Sequence, residues 1–270
     1  MSSPTAALLE TPVPAAGPRL RWWREVLLVA VFYAVYTLIR DEYTSSGGRD
    51  DAEGNARWII HAERDLHIFS EQSIQHWILE WHWHVFIEFW NAWYGTAHFV
   101  AVAGVLIYLY HKRSARYPLW RNTFAVMNLI ALFGFAFFPL MPPRLLPASY
   151  HFVDTLAHYG SPWNFSSGPA AKASNQFAAM PSMHTGWSTW CALALLPSIR
   201  PRWGKAAIFL YPLSTVFCIV VTGNHYFLDA VGGLVALGLA YCIARPLTAW
   251  WAARTWLRPR PLQEAEPCAS

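Results

Sequence analysis

Residues 85–110 read VFIEFWNAWYGTAHFVAVAGVLIYLY, a stretch with a single carboxylate, Glu88, and no lysine or arginine. A helix rises about 1.5 Å per residue, so some 20 such residues cross the roughly 30 Å of hydrocarbon in a bilayer. Runs of similar character recur on either side, at 26–39, 119–140, 179–196, 206–222 and 226–247, each bounded by charge, proline or glycine. The run at 26–39 is short unless Trp22 and Trp23 serve as interfacial anchors, and the run at 179–196 is short as well. Over all 270 residues the chain is 55% hydrophobic, 13% charged and 16% aromatic, a balance that soluble domains seldom show. The expected fold class is therefore all-α, a polytopic membrane protein built as a six-transmembrane-helix bundle.

Basic residues gather beside alternate ends of these runs: Arg19, Arg21 and Arg24 before the first, and Lys112, Arg113, Arg116 and Arg121 between the second and third. Arg200, Arg202 and Lys205 lie between the fourth and fifth, and Arg245, Arg254, Arg258 and Arg260 at or after the end of the sixth. The positive-inside rule then puts both termini in the cytoplasm and the connections 40–84, 141–180 and 223–225 on the outer face. Acidic residues, among them Asp41, Asp50, Glu53, Glu63, Asp65 and Glu71, concentrate in the first of these outer connections. The net charge of +4 mostly expresses this topology, so no nucleic-acid partner is expected.

Residues 1–18, rich in Ala, Pro, Ser and Thr, read as a disordered tail with no evident cleavable signal, the first span acting as a signal anchor. Residues 19–250 form one membrane catalytic domain, and 251–270 a cytoplasmic tail. Within the domain, 53–84 has helical periodicity with many aromatic residues and is expected to lie as interfacial helices on the outer face. The segment 141–180, rich in Pro, Gly, Ser and Asn, reads as an irregular active-site loop. Cys191, Cys218 and Cys242 fall inside spans and read as small packing residues.

Two motifs carry the chemistry. In Pro181-Ser182-Met183-His184, proline and serine mark a helix start, so Ser182 can cap it while the first N–H groups, Met183 included, face a phosphate. In Gly223-Asn224-His225-Tyr226-Phe227-Leu228-Asp229, the i, i+4 spacing lets Asp229 meet His225 on one helical face. A carboxylate on one imidazole nitrogen fixes the tautomer and leaves the other nitrogen free to attack. His225 is thus the expected nucleophile forming a phosphohistidine, Asp229 its orienter, and His184 the acid that protonates the leaving oxygen and then the base. A lone membrane histidine is more often a packing residue; two histidines and an acid on the same side favour function.

These segments resemble the second and third signatures of the type 2 phosphatidic acid phosphatase superfamily, which also includes vanadium haloperoxidases. With Phe138-Pro139-Leu140-Met141-Pro142-Pro143-Arg144-Leu145-Leu146 ahead of them, they are most similar to the branch of inositol phosphorylceramide synthase, over about residues 53–233. The resemblance implies a helical bundle with a histidine nucleophile, no metal and no cofactor. The family's phosphatases carry Lys-x6-Arg-Pro, where this chain has Phe137 seven before Arg144 and the order Pro-Arg. They also carry Ser-Arg seven and six residues before the histidine, where this chain has Cys218 and Ile219. Arg144 is left as the cation able to fork two hydrogen bonds onto phosphate, against the plainer reading of a headgroup-level loop arginine. Lys172 has no motif around it.

Tyr94 and His98, one turn apart, line the cavity or else bond a neighbouring helix, and Tyr226 is a further cavity-lining candidate. The cluster His76, His82 and His84 lacks metal-site spacing and reads as interfacial packing. Gly232, Gly233 and Gly238 read as permitting close helix approach. The expected partners are the bilayer, a membrane phospholipid donor and an acceptor that is a lipid hydroxyl or water. Transfer of a phosphoinositol-type headgroup is the favoured function. A lipid phosphate or polyprenyl diphosphate phosphatase is the alternative, and a noncatalytic scaffold or lipid flippase the alternative of another class. Richness in Ala, Trp, Arg and Pro fits a bacterial inner membrane, and a eukaryotic internal membrane with a lumenal site is compatible.

Overall fold

A computed structural model of the chain describes residues 48–160 and 176–256, together with positions 23, 25–28, 30, 31 and 34. Helices α1 (Arg49–Asp65) and α2 (Glu71–Leu79) precede the long α3 (His84–Lys112) and α4 (Tyr117–Phe137). After the one-turn α5 (Thr155–His158) come α6 (Met183–Leu195), α7 (Arg202–Ala207), α8 (Leu210–Val221) and α9 (Phe227–Trp256). Apart from short 3-10 turns, helical positions between 23 and 34 and an isolated bridge pairing Leu140 with Ala178, the other described residues are irregular.

Among the described residues four helical stretches are long and apolar enough to cross a membrane: His84–Lys112, Tyr117–Phe137, Arg202–Val221 (α7 with α8) and Phe227–Arg254. The expected run at 26–39 lies largely outside the described residues, although positions 26–28, 30, 31 and 34 within it are helical. The run at 179–196 differs from expectation. Pro181 and the Ser182 cap delay its helix to Met183, and the 3-10 turn Leu196–Ser198 closes it, leaving 13 residues. At about 1.5 Å each these fall short of the hydrocarbon thickness. The short helix is instead enclosed by protein, packed on by α3, α4, α8 and α9. Its Trp190 is fully buried, with Nε1 donating to the Trp120 carbonyl at 3.0 Å.

The direction of α6 fixes the two ends of the bundle. Its C-terminus leads to Arg200, Arg202 and Lys205, and at this end Arg113 Nε donates to Ser198 Oγ at 3.3 Å. Glu25 is held nearby by Arg121 Nη1, at 2.7 and 2.8 Å to its two oxygens, and by the Tyr117 hydroxyl at 3.0 Å. The N-terminus of α6 faces the opposite end, where α1 covers the bundle. Its buried positions Ala52, Ala56, Ile59, Ile60 and Glu63 fall at helical spacing and so share one face. That face packs on Leu140, Met141, Leu146 and Tyr226. Asn55 Nδ2 donates to the Pro139 carbonyl at 2.8 Å and the Met141 N–H to the Ala52 carbonyl at 3.1 Å, pinning the chain that leaves α4. The expected irregular loop begins there with 3-10 turns at Pro143–Leu145 and Ala148–Tyr150; its residues 161–175, Lys172 among them, lie outside the described residues. So do the N-terminal tail 1–18 and most of the C-terminal tail.

Helices α6 and α9 cross at very close range. A Cβ on Gly233 would lie 2.2 Å from the Ser182 carbonyl oxygen, and one on Gly186 would meet Met127 Sδ at 3.1 Å and the Gly233 carbonyl at 3.4 Å. Gly238, by contrast, has open space where its Cβ would be, so it is not part of the crossing. Gly233→Ala is expected to lower stability by about 1–3 kcal/mol through overpacking against rigid backbone. Gly238→Ala is expected to be neutral or mildly stabilising, because it replaces glycine in a helix without a clash. Thermal melts of both variants in detergent check the contrast.

Candidate active site

The turn joining α8 to α9 presents His225. Gly223, at φ +66°, lets the chain reverse sharply, and the N–H groups of Asn224 and His225 both return to the Ile219 carbonyl, at 2.9 and 3.2 Å. Inside this turn His225 Nδ1 lies 2.9 Å from the Ala179 carbonyl and 3.3 Å from Asp229 Oδ2. Both partners are acceptors, so the proton sits on Nδ1 and the lone pair on Nε2. Nε2 in turn faces His184 Nδ1 at 3.3 Å. Thus three residues from two motifs some 40 positions apart meet at one point, and the Ala179 carbonyl is the nearer support of the ring.

Asp229 has two further duties. Its Oδ2 accepts the Tyr226 N–H at 3.0 Å, capping α9, and its own carbonyl accepts the Ser182 N–H at 2.9 Å. Ser182 caps α6 through Oγ, which takes the Thr185 N–H at 3.4 Å. The Ser182 N–H is therefore engaged inside the protein, which alters its expected part in phosphate binding: it joins the two motifs. Met183 begins α6 beside it, where the N–H groups of a first turn gather.

Two buried acids complete the start of α9. Glu71 Oε1 accepts the Phe227 N–H at 2.8 Å and Glu63 Oε1 the Leu228 N–H at 2.7 Å. Three successive N–H groups thus each meet a different carboxyl group. Burial, and after it the hydrogen bond and charge of Glu71, raise Glu63 to about 9, so it is neutral at pH 7. The protonated acid gives its Oε2, otherwise without a partner, a hydroxyl to donate to Glu71. The sequence reading took both residues only as acids of the outer connection. The signal for Glu63 was its place three and four residues after Ile60 and Ile59, on the apolar face of α1.

Arg144 lies against the same turn. Its N–H donates to the Gly223 carbonyl at 2.8 Å, its Nε to Asn224 Oδ1 at 2.9 Å and its Nη1 to Asp154 Oδ2 at 3.0 Å. Gln75 clamps Val153 beside it, accepting its N–H at 2.9 Å and donating to its carbonyl at 3.0 Å, and also donates to the Val221 carbonyl at 3.1 Å. Asn224, Asp154 and Gln75 are supports that motif reading passes over. Their partners are distant in the chain.

Around His184, Tyr94 stacks at 4.2 Å between ring centroids and 20° between planes, while His98 meets it edge-on at 4.5 Å. Both candidates thus pack against the His184 ring. Tyr226 is fully buried and its hydroxyl donates to the Met141 carbonyl at 3.1 Å, so it anchors the loop rather than lining a cavity. His76 and His82 lie against the backbone carbonyls of His151 and Glu80, and the His84 ring packs on Tyr159. The three do not converge.

Four helices of membrane length among the described residues, with two histidines and an acid gathered at one end of their bundle, point to an integral membrane protein, and comparison with known proteins gives it a family. Residues 57–243 match the PAP2 superfamily, more than half of the chain, so the chain belongs to that superfamily. It is also 29% identical over 178 residues to the inositol phosphorylceramide synthase catalytic subunit of Schizosaccharomyces pombe. That alignment covers 57% of this chain and 39% of the relative, so the chain spans well under half of the relative's length. No solved structure gives a significant match.

Burial, opposed by the Ala179 hydrogen bond and reinforced by the Arg144 charge, lowers His225 to about 4. NMR of labelled imidazoles is therefore expected to find His225 still neutral at about pH 5.5, where an exposed histidine is mostly charged. Glu63 titrates in the other direction. The folded protein keeps this proton up to about 9, whereas a free carboxyl releases it near 4.5, so the folded form binds more protons in between. The contribution to stability is full below 4.5 and is lost as pH rises towards 9. Glu63→Gln, which mimics the neutral acid, is expected to melt several degrees above the wild type on the alkaline side, with the gap closing on acidification.

Proposed function

We propose that this protein transfers a phosphoryl-headgroup unit between membrane lipids through a phosphohistidine at His225. Membership of the PAP2 superfamily and similarity to an inositol phosphorylceramide synthase support a membrane lipid phosphotransferase or phosphatase. The observation that carries the residue-level reading is the His225 ring itself, with Nδ1 occupied by the Ala179 carbonyl and Asp229 and Nε2 turned to His184.

A phosphoester inserts between the two imidazoles. His225 Nε2 bonds to phosphorus, the ester P–O bond breaks, and the departing oxygen takes a proton from His184, whose charged form the incoming phosphate anion favours. Arg144, beside the turn, neutralises charge that builds on the equatorial oxygens. In the second half His184 removes the proton of an acceptor hydroxyl, the acceptor oxygen bonds to phosphorus, and the P–N bond breaks. Asp229 and the Ala179 carbonyl hold the imidazole while it carries the phosphoryl group.

The basic ends of the bundle face the cytoplasm in this reading and the site faces outward. Helices α1 and α2 lie in the outer interface, with the exposed rings of Trp58, Trp77, Trp81 and Trp83 at headgroup depth. The site then meets lipid headgroups without drawing them through the membrane. The resemblance to the synthase favours a lipid hydroxyl over water as acceptor.

The test uses purified protein in neutral detergent with phosphatidylinositol, other phospholipids and a lipid alcohol, the products being read by mass spectrometry. The expected result is a new headgroup-bearing lipid, with His225→Ala losing about 10³-fold or more of the rate while its melt is retained. Free phosphate or headgroup phosphate without a new lipid would make water the acceptor and the protein a hydrolase. No His225-dependent product would leave the scaffold or flippase reading.

A further inference from the structure

Arg144 is the cation whose field reaches His225 and Tyr94, yet the structure gives it a fixed counter-charge. The Arg144–Asp154 pair is closed at 3.0 Å, with only 6% of the arginine side chain and 22% of the aspartate side chain exposed. Neither partner is free to drift. Arg144 is held at Nε by Asn224, whose Nδ2 donates to Thr222 Oγ1 at 2.8 Å. Asp154 is held by the Ala157 N–H on Oδ1 at 3.2 Å, and its neighbour Val153 by both ends of the Gln75 amide. The anionic oxygens of a phosphoester therefore meet a guanidinium that is already paired.

We infer that Asp154 sets the charge of the substrate this site accepts: by neutralising Arg144 it favours a singly charged phosphodiester and disfavours a doubly charged phosphomonoester. This rests on the phosphoester reading of the site given above. A phosphodiester has one ionised oxygen, which the remaining edge of the Arg144 fork can take. A phosphomonoester carries a second negative charge once its last proton leaves, at a pKa of about 6. That charge lies close to Asp154 with no further cation, among the described residues, whose field is felt at His225. Hydrogen bonding alone does not discriminate in this way, since both esters offer unsubstituted oxygens. The discrimination comes from charge and is carried by Asp154.

The experiment measures kcat/KM for phosphatidylinositol and for phosphatidic acid at about pH 8, both dilute in excess neutral detergent, with wild type, Asp154→Asn and Asp154→Glu. The wild type is expected to prefer the diester. Asp154→Asn, similar in volume but uncharged, is expected to shift the monoester-to-diester ratio at least about tenfold towards the monoester. Asp154→Glu, which restores the charge, is expected to keep the ratio near the wild-type value. A purely structural role for Asp154 lowers both rates in parallel, so an unchanged ratio in the asparagine variant overturns the inference while the phosphoester reading stands. A wild type that prefers the monoester overturns it equally. A wild type that turns over neither lipid overturns the phosphoester reading itself and this inference with it.

Discussion

The Ser182 N–H reaches the Asp229 carbonyl at 2.9 Å, and it does so because Gly233, one turn further along α9, has no Cβ. Had α9 carried a side chain there, the two helices would stand further apart and the motifs would not share a site. From this one approach the rest follows. The start of α6 delivers His184 to the face of His225, the Ala179 carbonyl just before it supports the other side of the ring, and Asp229 serves both helices. A 13-residue helix that would be poorly suited to spanning a bilayer is well suited to this, since its buried position in the bundle needs no hydrocarbon match.

The polar groups at this end are costly to bury and are arranged so that few go without partners. Three N–H groups at the head of α9 would be unsatisfied in an ordinary helix start. Here Asp229, Glu71 and Glu63 take one each. Placing three acids so close is tolerable because Glu63 stays neutral, which turns a repulsive contact into a donor–acceptor pair with Glu71. Arg144 follows the same economy, with Asn224 and Asp154 on two of its donors. The named oxygens of these acids and two donors of Arg144 thus have partners, Asp229 Oδ1 has none, and the imidazole of His225 remains neutral beside them.

Sequence reading recovered the all-helical class because an unbroken apolar run of membrane length satisfies its backbone polar groups in lipid by coiling into a helix. The His225–Asp229 contact is legible because the i, i+4 spacing is local, and the structure brings His184, 41 residues earlier, against the same ring. Sequence reading overcounted membrane-length helices where hydropathy alone cannot tell a lipid-facing segment from one sheathed by protein, as with the run at 179–196. Supports of the site were missed for a different reason. Gln75 bonds Val153 and Val221, and Glu63 bonds Leu228, contacts 78, 146 and 165 residues apart in the chain. No periodicity in a single sequence reports such pairings. Tyr226 was misassigned because its neighbours are catalytic candidates, while its own hydroxyl is turned to Met141.

The tie between Glu63 and Leu228 also bears on when the site exists. His225 stands at the head of the first turn of α9, and that turn is completed by acids from α1 and α2, emitted more than 150 residues earlier during synthesis. Until the last long helix has met those early helices, the Phe227 and Leu228 N–H groups lack the acceptors they have in the folded protein. The surroundings of His225 therefore draw on segments from both ends of the described chain. This end of the bundle is complete only when α1 and α2 meet the start of α9.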